Sequence, residues 1–182
     1  MRFFEHSNAI FVKYKPPRYT TVMAHNNYYL DLCVDTYVVC GDRVLVRMHE
    51  KYHNWGSVGG HIDAGQDANE AAVREAWEEA GLNVRLVGPR GWEKTDTDSN
   101  LDLVPPLFVN RHKITETHSH SAFVFAASSD TMEINPQTGE DQGAECRWVT
   151  QAELDELLAA DPRLRKEIHR YASAALQVVQ GL

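Results

Sequence analysis

The stretch that decides the fold runs from residue 60 to residue 82 and reads GHIDAGQDANEAAVREAWEEAGL. Within it, Glu75, Glu78 and Glu79 are spaced i, i+3 and i+4, so a helix would project all three carboxylates from one face within about one turn. Three carboxylates so close repel one another, which disfavours a helix unless a cation lies among them. Oxygen ligands suit a hard divalent ion, and the spacing therefore predicts a site for Mg²⁺ or Mn²⁺.

Signals at both ends of this segment predict the helix itself. Asp67 is a favourable N-cap residue, and Glu70 three residues later completes a capping box. Gly81 stands where a C′ glycine ends a helix, with Leu82 as the apolar residue that packs back against it. Before the helix, residues 59–65 are expected to form a glycine-rich loop whose backbone can approach a metal or a phosphate closely.

The segment resembles the Nudix box, whose family pattern is G-x5-E-x7-R-E-U-x-E-E-x-G-U, with U a bulky apolar residue. Two positions depart from the pattern, since Gln66 replaces its first glutamate and Ala76 occupies its first U position. That glutamate is more supportive than metal-binding in the family, so Gln66 bears on loop rigidity and rate, not on the reaction class. The matching residues are Gly60, Arg74, Glu75, Glu78, Glu79, Gly81 and Leu82.

The resemblance implies an α/β fold, in which a mixed β-sheet lies between helices in an α/β/α sandwich. Alternating and apolar runs predict strands at 30–40, 43–48, 83–87, 120–127 and 147–149, with a tight hairpin turn at residues 41–42. Thr150 is expected to cap a helix over residues 151–160, and Pro162 to start the last helix. We therefore expect an N-terminal extension over residues 1–29, a Nudix domain over 30–160, and a C-terminal helix over 161–182 packed on the domain.

Composition limits the function classes. The 182 residues carry a formal net charge of -8, which argues against non-specific binding to nucleic acid. Apolar runs are too short for a membrane span or a signal peptide, and three scattered cysteines do not form a disulfide framework. The expected location is the cytoplasm. A homodimer through the last helix is one expected state, although its apolar stripe is equally explained by packing on the chain's own sheet.

The resemblance also implies a function. Nudix enzymes hydrolyse a nucleoside diphosphate linked to another moiety, so we expect a metal-dependent pyrophosphohydrolase acting on a small nucleotide, ADP-ribose or nucleotide-sugar type of substrate. The family implies metal ligation by the carbonyl of Gly59 and by Glu75, Glu78 and Glu79. Arg74 would orient these carboxylates, which its i, i+4 spacing to Glu78 allows.

Several roles have more than one candidate. The general base is expected to be Glu78 or Glu79, then Glu145, while Glu140 and Asp141 also lie in the stretch from which relatives take an acidic loop residue. Three further residues are candidates for substrate binding, with surface or core positions as equal alternatives. They are Arg47 and His61 for the phosphates and Trp55 for stacking on a planar group.

His118 and His120 alternate on a predicted strand and share a face. They could bind zinc, but further ligands are not evident from spacing, and lining a polar pocket or facing solvent are the alternatives.

Two other functions compete with hydrolysis. One is a non-catalytic Nudix protein that senses a ligand. The other is an isoprenoid diphosphate isomerase, whose cysteine-bearing loop has no counterpart in residues 54–57.

Overall fold

A computed structural model describes residues 9–11, 29–49, 51–137 and 143–181, which form one mixed sheet with helices on both faces. The main strand order is β1-β6-β8-β2-β3-β4, and β5, β7 and β9 pair with β2, β8 and β3 respectively. The strands are β1 Ala9–Phe11, β2 Leu30–Cys40, β3 Arg43–His49, β4 Asn54–Gly56, β5 Val58–His61, β6 Val84–Val87, β7 Phe108–Lys113, β8 Ser119–Ser129 and β9 Cys146–Val149. The helices are α1 Ala68–Ala80, α2 Gln151–Ala160 and α3 Lys166–Gln180.

The centre of the sheet is the parallel pair β2 and β8, in register from Leu30 opposite Ser119 to Val39 opposite Ser128. Strand β2 alternates between two apolar cores. Val34 and Val38 pack with α1, together with Leu82 and Phe125 among others. Tyr37 and Val39 pack on the opposite face with residues of α2 and α3, including Leu154, Tyr171 and Leu176. Helices therefore cover both faces, and the predicted α/β/α arrangement is confirmed.

Helix α1 begins and ends where the sequence predicts. The Asp67 carboxylate accepts from the N–H groups of Asn69 and Glu70, and the Glu70 side chain returns to the Asp67 N–H, which completes the capping box. Gly81 ends the helix at φ 70°, a left-handed conformation that favours glycine. Two N–H groups of the connection after β8 also donate to this end at 2.9 Å, from Asn135 to the Ala80 carbonyl and from Gln137 to the Glu78 carbonyl.

Two local predictions are wrong. Residues 59–61 are not loop but the end of strand β5, which pairs with β2. The backbones approach so closely that a Cβ on Gly59 would collide with the carbonyl oxygen of Val34. The last helix begins at Lys166 and not at Pro162, because Asp161 closes a turn by accepting from the backbone N–H of Arg163 and of Leu164.

Most of the predicted extension over residues 1–29 lies outside the described residues. Within it, Ala9–Phe11 pairs antiparallel with β6. In the part of the chain that the structure describes, no helix combines the length and apolar character needed to cross a membrane.

Two glycines in the same left-handed conformation, Gly81 at φ 70° and Gly181 at φ 73°, give a matched stability test. A Cβ at Gly81 would collide with the Asn135 carbonyl, whereas one at Gly181 meets open space. Gly181→Ala should cost about 1–2 kcal/mol of unfolding free energy from backbone strain. Gly81→Ala should cost about 1–3 kcal/mol more because the chain must also move. Denaturant titration measures both, and equal losses would contradict the contact with Asn135.

Candidate active site

Arg74 joins the carboxylates of α1 to strand β5. Its Nη1 atom lies 2.9 Å from Glu75 Oε1 and 2.8 Å from Glu78 Oε2, the latter being the i, i+4 pair that the spacing predicts. Its Nη2 atom donates to the carbonyl of His61 at 2.8 Å, and the residue is buried. One guanidinium group therefore holds two carboxylates of the helix and the end of the adjacent strand.

Glu79 makes a second connection, from α1 to β5 and β3. Its Oε2 atom accepts a hydrogen bond from the Gly59 N–H at 2.8 Å. Its Oε1 atom lies 3.1 Å from Nη1 of Arg47, a residue that is only 3% exposed. A buried guanidinium is costly unless a carboxylate balances its charge, so Glu79 supports the core as well as facing the site.

The donor set in this region suits a hard divalent cation. Three carboxylates come from one helix, and the backbone of β5 lies directly beside them. Strand and helix can approach because Gly60 has no side chain, and a Cβ there would collide with the Glu75 carboxylate. Carboxylate and carbonyl oxygens are the ligands that Mg²⁺ and Mn²⁺ prefer, so these residues could hold such an ion.

The surroundings of Glu75 shift the pKa of its carboxyl group. Burial raises its pKa from 4.5 to about 7, Arg74 opposes this rise, and the negative charge of Glu78 adds to it. A divalent cation beside Glu75 would favour the ionised form and release its proton.

Gln66, one of the two residues that depart from the box pattern, takes part in the same network. The Gln66 amide oxygen accepts from Nε of Arg74 at 3.2 Å and from the Asp63 N–H at 3.3 Å. A neutral amide therefore provides the acceptor that holds both the loop before α1 and the guanidinium group.

The remaining predicted site residues are dispersed. Trp55 is completely buried, with Nε1 donating to Asp161, so its predicted role in stacking on substrate is wrong and it belongs to the core. Glu145 is half-exposed and pairs with Arg147. The two loop candidates for the general base, Glu140 and Asp141, lie outside the described residues.

A second group of polar side chains surrounds the His61 side chain. Asp31 and Cys33 of β2 and His120 of β8 lie next to it, and His118 lies 3.4 Å from Asp31. Burial, and then the neighbouring His61, lower the pKa of His120 to about 4. Sequence reasoning paired the last two histidines but missed Asp31 and Cys33. The available signal was Asp31, one of two charged residues in a run that otherwise reads as a buried strand.

The sequence pattern of the NUDIX domain family matches residues 32–171. The match covers most of the chain, and the chain belongs to the Nudix family. The predicted membership of the Nudix family is thereby confirmed.

Individual relatives agree with this assignment. An RNA pyrophosphohydrolase from Roseobacter denitrificans is 33% identical over 104 residues, which are 56% of this chain and 63% of that protein. The match thus spans less than two thirds of the relative's length. A crystal structure of a NUDIX-family hydrolase from Clostridium perfringens has a TM-score of 0.69 and 28% identity, covering 84% of this chain and 99% of that one. A C. elegans Ap4A hydrolase complex has a TM-score of 0.58 at 15% identity, with 84% and 99% covered, and it shows the fold alone.

The raised pKa of Glu75 predicts how stability depends on pH without metal. The folded protein holds this proton more tightly than the unfolded chain, so the stability it contributes is complete below about pH 4.5 and is lost as the pH rises through about 7. In chelator, the unfolding free energy of the unaltered protein should fall by up to about 3 kcal/mol relative to that of Glu75→Gln as the pH rises from about 4.5 to about 7. Denaturant titration at several pH values measures this difference, and parallel curves would contradict it.

Proposed function

We propose that this chain is a divalent-metal-dependent hydrolase of the pyrophosphate bond in a nucleoside diphosphate linked to another moiety. The observation that carries the proposal is the convergence of Glu75, Glu78 and Glu79 beside the backbone of β5. Two relatives support it, since the Roseobacter protein is named a pyrophosphohydrolase and the Clostridium structure a hydrolase.

The metal would be Mg²⁺ or Mn²⁺, held by the three carboxylates and the carbonyl of Gly59. When bound, such an ion neutralises charge on a pyrophosphate and lowers the pKa of a coordinated water. The collision that a Cβ on Gly60 would make with Glu75 supports this placement, because only glycine leaves the carboxylate its position beside the strand.

The two arginines serve chiefly to position the ligands. Arg74 holds Glu75 and Glu78 at hydrogen-bond distance, and the buried Arg47 of β3 pairs with Glu79. Arg47 is nearly inaccessible to solvent, so we assign it to orienting Glu79 in place of the phosphate contact expected from the sequence.

Glu78 is the first candidate for the general base. Its side chain is 26% exposed, compared with 15% for Glu79 and 11% for Glu75, so it is the most accessible to a water molecule. Glu79 is held by both Arg47 and the Gly59 N–H, which suits a fixed ligand better than a proton acceptor. Glu145 remains the next candidate.

The substrate is proposed to be a small nucleotide, ADP-ribose or nucleotide-sugar derivative. The net charge of -8 disfavours extended contact with a polyanion such as RNA. Because the Roseobacter relative is named an RNA pyrophosphohydrolase, a short RNA with a 5′-triphosphate should nevertheless be tested beside the small nucleotides. The intact carboxylate set favours hydrolysis over a ligand-sensing role. A cytoplasmic location and a homodimer belong to the same proposal.

Glu79→Gln should lower turnover by about 100-fold or more, since it removes a charged metal ligand. Turnover is measured as release of phosphate or nucleoside monophosphate with Mg²⁺, Mn²⁺ or chelator, from nucleoside triphosphates, ADP-ribose, nucleotide sugars, dinucleoside polyphosphates and a 5′-triphosphorylated RNA. Glu156→Gln, at an exposed position of α2, is the matched control and should leave turnover unchanged. Normal turnover by Glu79→Gln, or full activity in chelator, would reject the proposed site.

Glu78→Gln and Glu145→Gln together identify the base. If Glu78 accepts the proton, its variant should lose roughly 100-fold or more in kcat, while Glu145→Gln should stay within about 10-fold of the unaltered protein. The pH dependence of kcat in each variant is the second readout, because removal of the base should abolish the acidic limb. The reverse pattern would transfer the role to Glu145.

A further inference from the structure

Six side chains of types that can ligate a metal lie on one face of the sheet, and we name them the histidine cluster: Asp31, Cys33, His61, His112, His118 and His120. The strand register brings them together, because His120 is opposite Asp31 on one side and opposite His112 on the other. Cys33 is opposite His61 on β5. Residues opposite each other in a sheet project to the same face, so a set distributed over about ninety positions converges in space.

The cluster begins where the apolar surface under α3 ends. On β8 the residues that share its face continue as Ala122, Val124 and Ala126, and the last two pack in the core beneath α3. Asp31 is only 3% exposed, whereas the side chains of His61 and His118 are 26% and 21% exposed. The cluster thus combines a buried carboxylate with imidazoles that solvent can reach.

The distances within the cluster fit a tetrahedral transition-metal site. Asp31 Oδ2 lies 3.4 Å from Nε2 of His118 and 3.5 Å from Nε2 of His61. A tetrahedron with bonds of ~2.0–2.1 Å has edges of about 3.3–3.4 Å between its ligand atoms. The ligand atoms of Asp31, His118 and His120 all lie within 4.8 Å of one another, so a modest rotation of the His120 ring would close the set.

We propose that Asp31, His118 and His120 bind a transition-metal ion of the Zn²⁺ type, with the fourth coordination position directed toward His61. This site is separate from the one formed by Glu75, Glu78 and Glu79. Imidazole nitrogens select Zn²⁺, Co²⁺ or Ni²⁺ over Mg²⁺, whereas the box offers only oxygen ligands. Zinc enzymes use such a ligand set, which consists of two imidazoles, one carboxylate and an exchangeable fourth position.

The test is metal titration of the full chain. One equivalent of Zn²⁺ should bind in the presence of excess Mg²⁺ and raise Tm by roughly 5–10 °C at a free zinc concentration about 100 times Kd. Co²⁺ in the same site should give the strong visible absorption of tetrahedral coordination. A weak octahedral spectrum with the unaltered protein would overturn the proposal, and this measurement requires no variant.

Variants assign the ligands. The double variant His118→Gln with His120→Gln should lower zinc affinity at least about 100-fold. His169→Ala, a histidine on α3 outside the cluster, is the matched control and should bind zinc normally. Circular dichroism shows whether the double variant folds. If it does not, the single variant His118→Gln is used in its place, because His118 lies just before β8 and not within it. Zinc binding that survives these changes would overturn the assignment.

Failure of this site and failure of the proposed hydrolase are distinguishable. Glu79→Gln should retain the zinc-dependent rise in Tm and the cobalt spectrum, because the cluster does not include that carboxylate. Loss of both signals in Glu79→Gln protein that is folded by circular dichroism would show that the zinc ion occupies the box, and would overturn the separate site.

Discussion

The contacts between helix α1 and the backbone of strand β5 determine how the rest of the site is arranged. Arg74 donates to the His61 carbonyl, Glu79 accepts from the Gly59 N–H, and Glu75 lies against Gly60. All three contacts use polar groups where helix–sheet packing ordinarily uses apolar ones, and Arg47 below them is buried with its charge balanced by Glu79. The charges that would bind a metal therefore also hold the two elements in register.

Because of these contacts, a change in the site also affects the core. Removing the charge of Glu79 takes away a ligand and also the carboxylate opposite a buried guanidinium. Such a change can lower stability by a few kcal/mol independently of any chemistry, in line with the general cost of breaking buried ion pairs. Replacement of the pattern's first glutamate by Gln66 is a milder change, because a neutral amide oxygen is sufficient to accept a hydrogen bond from Arg74.

Much of the box unit could be predicted because its signals are local. The capping box at Asp67, the terminal Gly81 and the carboxylate spacing lie within fifteen residues, and the structure reproduces the predicted helix. Strands β4, β5 and β7 were missed because they are short, glycine-rich or polar. The histidine cluster could not be assembled from sequence, since Asp31 and His120 become neighbours only through the parallel register of β2 and β8. Burial of Trp55 likewise depends on α3 and the turn at Asp161.

The two hydrogen bonds from Asn135 and Gln137 to the end of α1 have a consequence for local opening of the chain. These amides belong to a segment without regular secondary structure, where exchange with solvent is ordinarily fast. Here each is bonded to a carbonyl in the last turn of α1, so neither can exchange until that bond breaks. Exchange at these two amides therefore reports how long residues 135–137 stay docked on the last turn of the helix that carries Glu75, Glu78 and Glu79.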